Sequence, residues 1–270
     1  MERDARFRAV SAGSVFTCGL RLDGSLYCWG HDNADEEKGQ LDVPKGDTYV
    51  AVSSGTHGSC ALRDDDRLKC WGSVDGGSKR FTKFKAVDTT SGSTCGIQLD
   101  GLLKCWGTDN LSNEPEGSFV SLSNDGAWAC AVRDDGALAC WGWLADKDWA
   151  SVPDGRFRSV SLATWGACAL RESGEIVCWG EAGEEYLDPP SGVFASFDMG
   201  THHGCGVRTN VTVACWGANP RGQASPPDGK FLSVSAYRHT CGVREDHRVS
   251  CWGDSHIVPA QLGSSGRAAQ

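Results

Sequence analysis

The chain has 270 residues, 40% of them hydrophobic, with 14 cysteines and a net charge of −9 at neutral pH. That charge leaves no expectation of a nucleic-acid partner held through phosphate contacts, and no apolar run is long enough to cross a bilayer as a helix. Thirty-five glycines and the lack of long apolar helical windows mark an all-β composition.

The start, MERDARFRAV, runs charges straight into a strand pattern and carries no apolar export segment. A strand headed by an aromatic residue follows, and it recurs seven times: FRAVSAG from Phe7, YVAVSSG from Tyr49, FKAVDTT from Phe84, FVSLSND from Phe119, FRSVSLA from Phe157, FASFDMG from Phe194 and FLSVSA from Phe231. Each copy leads into a unit such as CGLRLDGSLYCWG, Cys18 to Gly30. The cysteine pairs are Cys18 with Cys28, Cys60 with Cys70, Cys95 with Cys105, Cys130 with Cys140, Cys168 with Cys178, Cys205 with Cys215 and Cys241 with Cys251. Nine residues always separate the two members, and Trp-Gly always follows the second.

Aliphatic residues stand two after the first cysteine and two before the second, as in Leu20 and Leu26. Alternation on both sides of a turn predicts two antiparallel strands. Asp-Gly at the centre of three units, and Ser-Gly in a fourth, fit a three-residue loop with its last residue in the left-handed region. That loop pairs Arg21 with Ser25, Leu20 with Leu26 and Cys18 with Cys28. Each cysteine pair then falls at a non-hydrogen-bonded site, with Cα atoms roughly 4.5 Å apart. One disulfide inside each hairpin is therefore predicted, worth about 2.7 kcal/mol by chain entropy.

Polar segments after Trp-Gly often end in Pro and Gly, as in SVPDG, and are candidates for a short fourth strand. Arg recurs three residues after the first cysteine in six units, and ion pairing at the hairpin tips is the expected reason. The whole reads as a seven-bladed β-propeller over residues 1–263. Its blades fall at about 5–42, 47–80, 82–115, 117–153, 155–190, 192–227 and 229–262, with a disordered tail at 264–270. Segment 256–262 is a candidate edge strand for the last blade. Fourteen evenly paired cysteines suit an oxidising compartment, so a secreted or cell-surface location is expected, the export signal not being visible in this chain. The competing reading is a reduced protein whose cysteines serve as small buried hydrophobes.

The pattern aromatic-x-x-Val…Cys-x-Leu…Asp-Gly-x-x-x-Cys-Trp-Gly resembles the regulator-of-chromosome-condensation repeat family over residues 5 to 259. The resemblance implies a seven-bladed propeller. Within that family the chain is most similar to the secreted β-lactamase inhibitors of type II, through Trp-Gly, the GQLDVP segment from Gly39 and Ala127-Trp128-Ala129, and departs from them in its cysteine pairs.

The loops entering the first cysteine strand form one ring whose contents vary while the framework does not. Phe16, His57, Trp128, Trp165, His202, His203, Tyr237, Arg238 and His239 lie there, and Trp143 and Trp149 follow blade four. Such an aromatic, His and Arg set resembles a recognition surface, with its hot spot expected at blades four and five. The plainer reading is that these side chains cap the channel and pack on one another. Adjacent His202 and His203 point to opposite sides of a strand, so no metal is expected, nor any cofactor. No nucleophile elbow, phosphate loop or paired-carboxylate motif is present. The expectation is a monomeric, non-enzymatic propeller that binds a protein or inhibits an enzyme. A glycan-binding propeller is the alternative, and a Trp-based light sensor or GTPase exchange factor ranks lower.

Overall fold

A computed structural model describes residues 5–31, 39–74, 82–90, 92–107, 111–143, 151–181 and 183–254. Trp149, the acidic stretch 32–37, segment 256–262 and the tail 264–270 lie outside the described residues.

Seven antiparallel sheets follow one another along the chain. Blade one holds β1 (Phe7–Ala12), β2 (Phe16–Arg21) and β3 (Leu26–Gly30), and blade two holds β4 (Tyr49–Ser54), β5 (Gly58–Arg63) and β6 (Leu68–Gly72). Blade three holds β7 (Phe84–Thr89), β8 (Thr94–Gln98) and β9 (Leu103–Trp106); blade four holds β10 (Phe119–Asn124), β11 (Trp128–Arg133) and β12 (Leu138–Gly142). Blade five holds β13 (Phe157–Ala163), β14 (Gly166–Arg171) and β15 (Ile176–Gly180), and a short helix, α1 (Glu184–Leu187), follows it. Blade six holds β16 (Phe194–Met199), β17 (His203–Arg208) and β18 (Val213–Gly217); blade seven holds β19 (Phe231–Ala236), β20 (Thr240–Arg244) and β21 (Val249–Trp252). Among the described residues every sheet has three strands, and the fourth strand expected after Trp-Gly is not formed there.

All seven disulfides close within their own hairpins. Cys18 bonds to Cys28, Cys60 to Cys70, Cys95 to Cys105, Cys130 to Cys140, Cys168 to Cys178, Cys205 to Cys215 and Cys241 to Cys251. Their Cα–Cα distances are 4.0–4.1 Å, shorter than the spacing expected from the bare ladder. The two sulfurs of a rung are not equally sheltered. The first cysteine lies on the central strand and is fully buried in every blade. The second lies on the outer strand, where Cys70, Cys140, Cys178 and Cys215 are only half-buried, while Cys28, Cys105 and Cys251 are buried. Ten of the fourteen are thus buried and four stand partly open at the edge.

The register is the predicted one, Cys18 opposite Cys28 and Leu20 opposite Leu26. Arg21 N donates to Ser25 O at 2.8 Å, which closes the three-residue loop. Its last position is left-handed in every blade, including the three that lack glycine there: Asp66, Val211 and His247, at φ 68°, 62° and 63°.

The sheets pack face to face, so both surfaces of each are buried. Phe16, Cys18 and Leu20 of blade one meet Tyr49, Ala61 and Trp71 of blade two. The small residue after the first cysteine makes room for the aromatic of the first strand as well as for the indole. A Cβ at Gly19 would lie 2.6 Å from the Phe7 ring and 3.0 Å from that of Trp29. The repeated arginines stack on that same aromatic, for example Arg208 over Phe194 at 4.8 Å. They also donate to a carbonyl of the preceding segment, as Arg171 does to Asp154 O at 3.2 Å. Ion pairs such as Arg63–Asp47 at 3.1 Å occur beside this. Stacking and backbone capture are the shared role, because the guanidinium serves as a planar fork more than as a point charge.

Ring closure joins blade seven to blade one. Phe7 N donates to His247 O at 2.8 Å, and Phe7 and Trp29 pack with Cys241, Val243, Val249 and Cys251. The innermost strands are β1, β4, β7, β10, β13, β16 and β19. Their free edges would leave an unpaired N–H in each blade. A Ser or Asp on the preceding blade accepts it every time: Ala12 N to Ser235, Ser54 N to Ser11, Thr89 N to Ser53, Asn124 N to Asp88, Leu162 N to Ser123, Met199 N to Ser161 and Ala236 N to Asp198, at 2.8–3.1 Å. This belt runs unbroken around the channel.

Candidate recognition face

The turn between first and second strands and the residue after Trp-Gly meet on one face of the ring. Trp143 N donates to Ala127 O at 2.9 Å, Glu181 N to Trp165 O at 2.8 Å and Ala218 N to His202 O at 2.8 Å. Side chains three before the first cysteine and three after the second therefore neighbour each other along the rim.

Four of the residues expected on this surface are instead buried: Phe16, Trp128, His203 and His239. Each stands two residues before a buried cysteine: Phe16, Trp128 and His203 open the same strand, where alternation puts them on the same inter-blade side, and His239 lies just ahead of β20. Phe16 fills the seam to blade two, and Trp128 packs on Phe157, Val160 and Ala167 of blade five. His203 Nε2 lies 2.7 Å from Thr240 Oγ1, and His239 Nε2 lies 2.6 Å from Thr17 Oγ1. Burial pushes both imidazoles down to about 4, aided by neighbouring histidines, so they are neutral stitches between blades.

The rim itself carries the rest. Trp165 is 49% exposed in the turn of blade five, and Trp143 is 63% exposed on adjacent blade four. His202 and Arg238 are exposed, while His57 and Tyr237 are half-buried. Tyr186, from the helix after blade five, meets His202 edge to face at 5.6 Å. Tyr237 reaches from blade seven to place its hydroxyl 3.0 Å from Thr56 Oγ1 of blade two.

Below the rim the channel opens into a chamber of about 180 Å³ lined by the Ser/Asp belt, threonines, Asn124, Asp125 and Tyr237. Sequence reasoning passed over Asp88 and Asp198, although the fifth residue of every first strand is Ser or Asp. Burial pushes the Asp88 carboxyl up to about 6, with repulsion from Asp198 adding to it. Burial raises Asp198 as well and Asp125 to about 6. Among the described residues no three His, Cys, Asp or Glu side chains are grouped to hold a metal ion.

The first blade, residues 7–40, matches the regulator of chromosome condensation (RCC1) repeat. No curated protein sequence is significantly similar to the chain. Among solved structures, the CRINKLY WD40 ectodomain of the Arabidopsis thaliana receptor kinase ACR4 superposes with a TM-score of 0.77 at 21% identity, covering 96% of this chain and 98% of that one. The entire ectodomain of the Physcomitrella patens receptor kinase CR4 gives 0.77 at 21% identity, over 93% of this chain and 74% of that one. Saccharomyces cerevisiae Prp20p, a protein described with its binding to Gsp1p and histones, gives 0.67 at 14% identity over 85% and 80%. At these identities the likeness is one of fold, that of a seven-bladed propeller.

Proposed function

We propose that the chain is a secreted or cell-surface protein-binding propeller, with no catalysis of its own, that holds its partner on the rim over blades four and five. The observation that carries this reading is the pair Trp143 and Trp165, two open indoles on adjacent blades of one face. Tryptophan is the side chain most enriched at binding hot spots, and large apolar surface left open beside a polar rim marks an interaction site. His202, Tyr186 and Arg238 supply that rim. Seven intra-blade disulfides support an oxidising location, and they hold the framework rigid so that little order is lost on binding. The likeness to secreted β-lactamase inhibitors makes enzyme inhibition the first form of binding to test.

The test compares the wild-type chain, Trp143→Ala/Trp165→Ala and a control, Leu22→Ala, on the opposite face. Each is titrated against β-lactamase and used for capture from the native extracellular fluid. A partner held by wild type and control but weakened by about 2 kcal/mol or more in the double variant supports the reading. Identical retention by all three would sink it. Binding on a glycan array that disappears with the two indoles would replace it with a lectin.

A further inference from the structure

The opposite mouth of the channel carries a second, chemically distinct ring. In every blade the pairing of first and second strands slips between the aromatic residue and the residue two beyond it. The residue in between is the extra member of a β-bulge, a device that re-aims a side chain. These bulge residues are Arg8, Val50, Lys85, Val120, Arg158, Ala195 and Leu232, and all seven are exposed. They sit where the innermost strands begin, next to the hairpin tips. Phe84 N, for instance, donates to Asp66 O, and Phe119 N to Gly101 O.

The ring holds three cations and four aliphatic residues, and no carboxylate, in a chain with 35 acidic against 26 basic residues. From blade one to blade five, cation and aliphatic alternate. The Arg8 and Arg158 guanidinium groups donate to the carbonyls of Tyr49 and Phe194, which directly precede Val50 and Ala195. Each arginine thus leans across a seam toward the next blade's aliphatic residue. Among the described residues, Arg8, Lys85 and Arg158 form no ion pair. Outside this ring, on the hairpin tips, stand the exposed carboxylates Asp23, Asp100, Asp135 and Asp246.

We propose that the bulge ring docks an acidic peptide segment carrying aliphatic side chains, by way of the channel mouth on the hairpin-tip face. Charge complementarity selects that occupant: the inner ring offers separated positive charges with apolar surface between them. A peptide is narrow enough to touch only this ring. A flat anionic bilayer would also press its phosphates against the carboxylates outside it, which opposes binding.

The probe is a fluorescein-labelled ten-residue peptide of alternating Glu and Leu, followed by fluorescence anisotropy with the disulfide-intact chain. A Lys-Leu peptide and phosphatidylserine vesicles serve as comparisons. The Glu-Leu peptide is expected to bind, with affinity falling about tenfold in Arg8→Glu/Lys85→Glu/Arg158→Glu and falling again at high salt. Lys85→Glu alone disturbs no backbone hydrogen bond and is expected to weaken binding about threefold, with an unchanged melting temperature. Trp143→Ala/Trp165→Ala, on the other face, leaves this binding intact, so failure here is separable from failure of the rim. No Glu-Leu binding, binding indifferent to charge reversal, or a preference for vesicles over peptide would each overturn the proposal.

Discussion

Thr17 Oγ1 lies 2.6 Å from His239 Nε2, and this contact stitches the last blade to the first. A second stitch of the same kind, His203 to Thr240 at 2.7 Å, joins blade six to blade seven. Both imidazoles are buried and neutral, and each is held at about 4 against an ordinary 6.5. A histidine depressed in the folded state contributes stability that is whole above pH 6.5 and is lost as pH falls toward 4. Relative to His203→Phe/His239→Phe, the wild type should therefore lose on the order of 2–3 kcal/mol per histidine across that window. Urea unfolding at pH 7 and pH 4 checks it; parallel pH profiles for the two proteins would refute it.

Asp88 works in the opposite direction. Its carboxyl is raised from 3.8 to about 6, so its contribution is whole below pH 3.8 and is lost as pH rises through 6. Serine occupies the same belt position in five other blades and accepts the same backbone bond. Asp88→Ser should gain stability relative to wild type by up to about 2 kcal/mol between pH 4 and pH 8. Thermal melts at the two pH values measure the difference, and a gap that does not widen with pH would count against a buried, charged Asp88.

Gln40 is fully buried, and among the described residues neither its side-chain oxygen nor its nitrogen has a hydrogen-bond partner. Its carbonyl receives the indole N–H of Trp71, as the carbonyl of Leu111 receives that of Trp141. Leucine is thus the apolar solution to the same place in another blade. Gln40→Leu keeps the backbone acceptor, removes an unsatisfied amide and should stabilise the chain by about 1–2 kcal/mol. Chemical denaturation decides it; a loss of stability would mean that the amide is satisfied in solution.

Val211 holds a β-branched side chain at φ 62° where four other hairpins place glycine, Gly24, Gly101, Gly136 and Gly174. The left-handed conformation costs an L-residue roughly 1–2 kcal/mol, offset in part by the greater chain entropy of glycine. Val211→Gly should raise stability by about 0.5–1 kcal/mol, while Gly174→Val, the reverse change in blade five, should lower it. Melting temperatures that move the other way would show that packing of Val211 outweighs its backbone strain.

How far the sequence reached depended on the range of the interaction. Cysteine spacing, the Asp-Gly turns and the alternation of Leu20 and Leu26 act within one hairpin, and the hairpins, their register and their disulfides were legible from those signals. The same alternation already contained the fate of Phe16, Trp128, His203 and His239, since residues two before a buried cysteine share its side. Assigning them to a loop hid that parity. Trp143 and Trp165 were legible as framework outsiders, though their exposure was not.

What the chain determines locally is the blade: a hairpin closed by a rung of sulfur and preceded by an aromatic strand. What only the tertiary structure decided is every relation between blades, because those contacts, from Phe84 with Asp66 to Thr17 with His239, join different hairpins that no local spacing connects. The belt of Ser, Asp88 and Asp198, the His–Thr stitches and the bulge ring at the far mouth exist only once seven edges face a common axis. There an unpaired N–H must find an acceptor on its neighbour, and an extra residue in a strand has only solvent to turn toward.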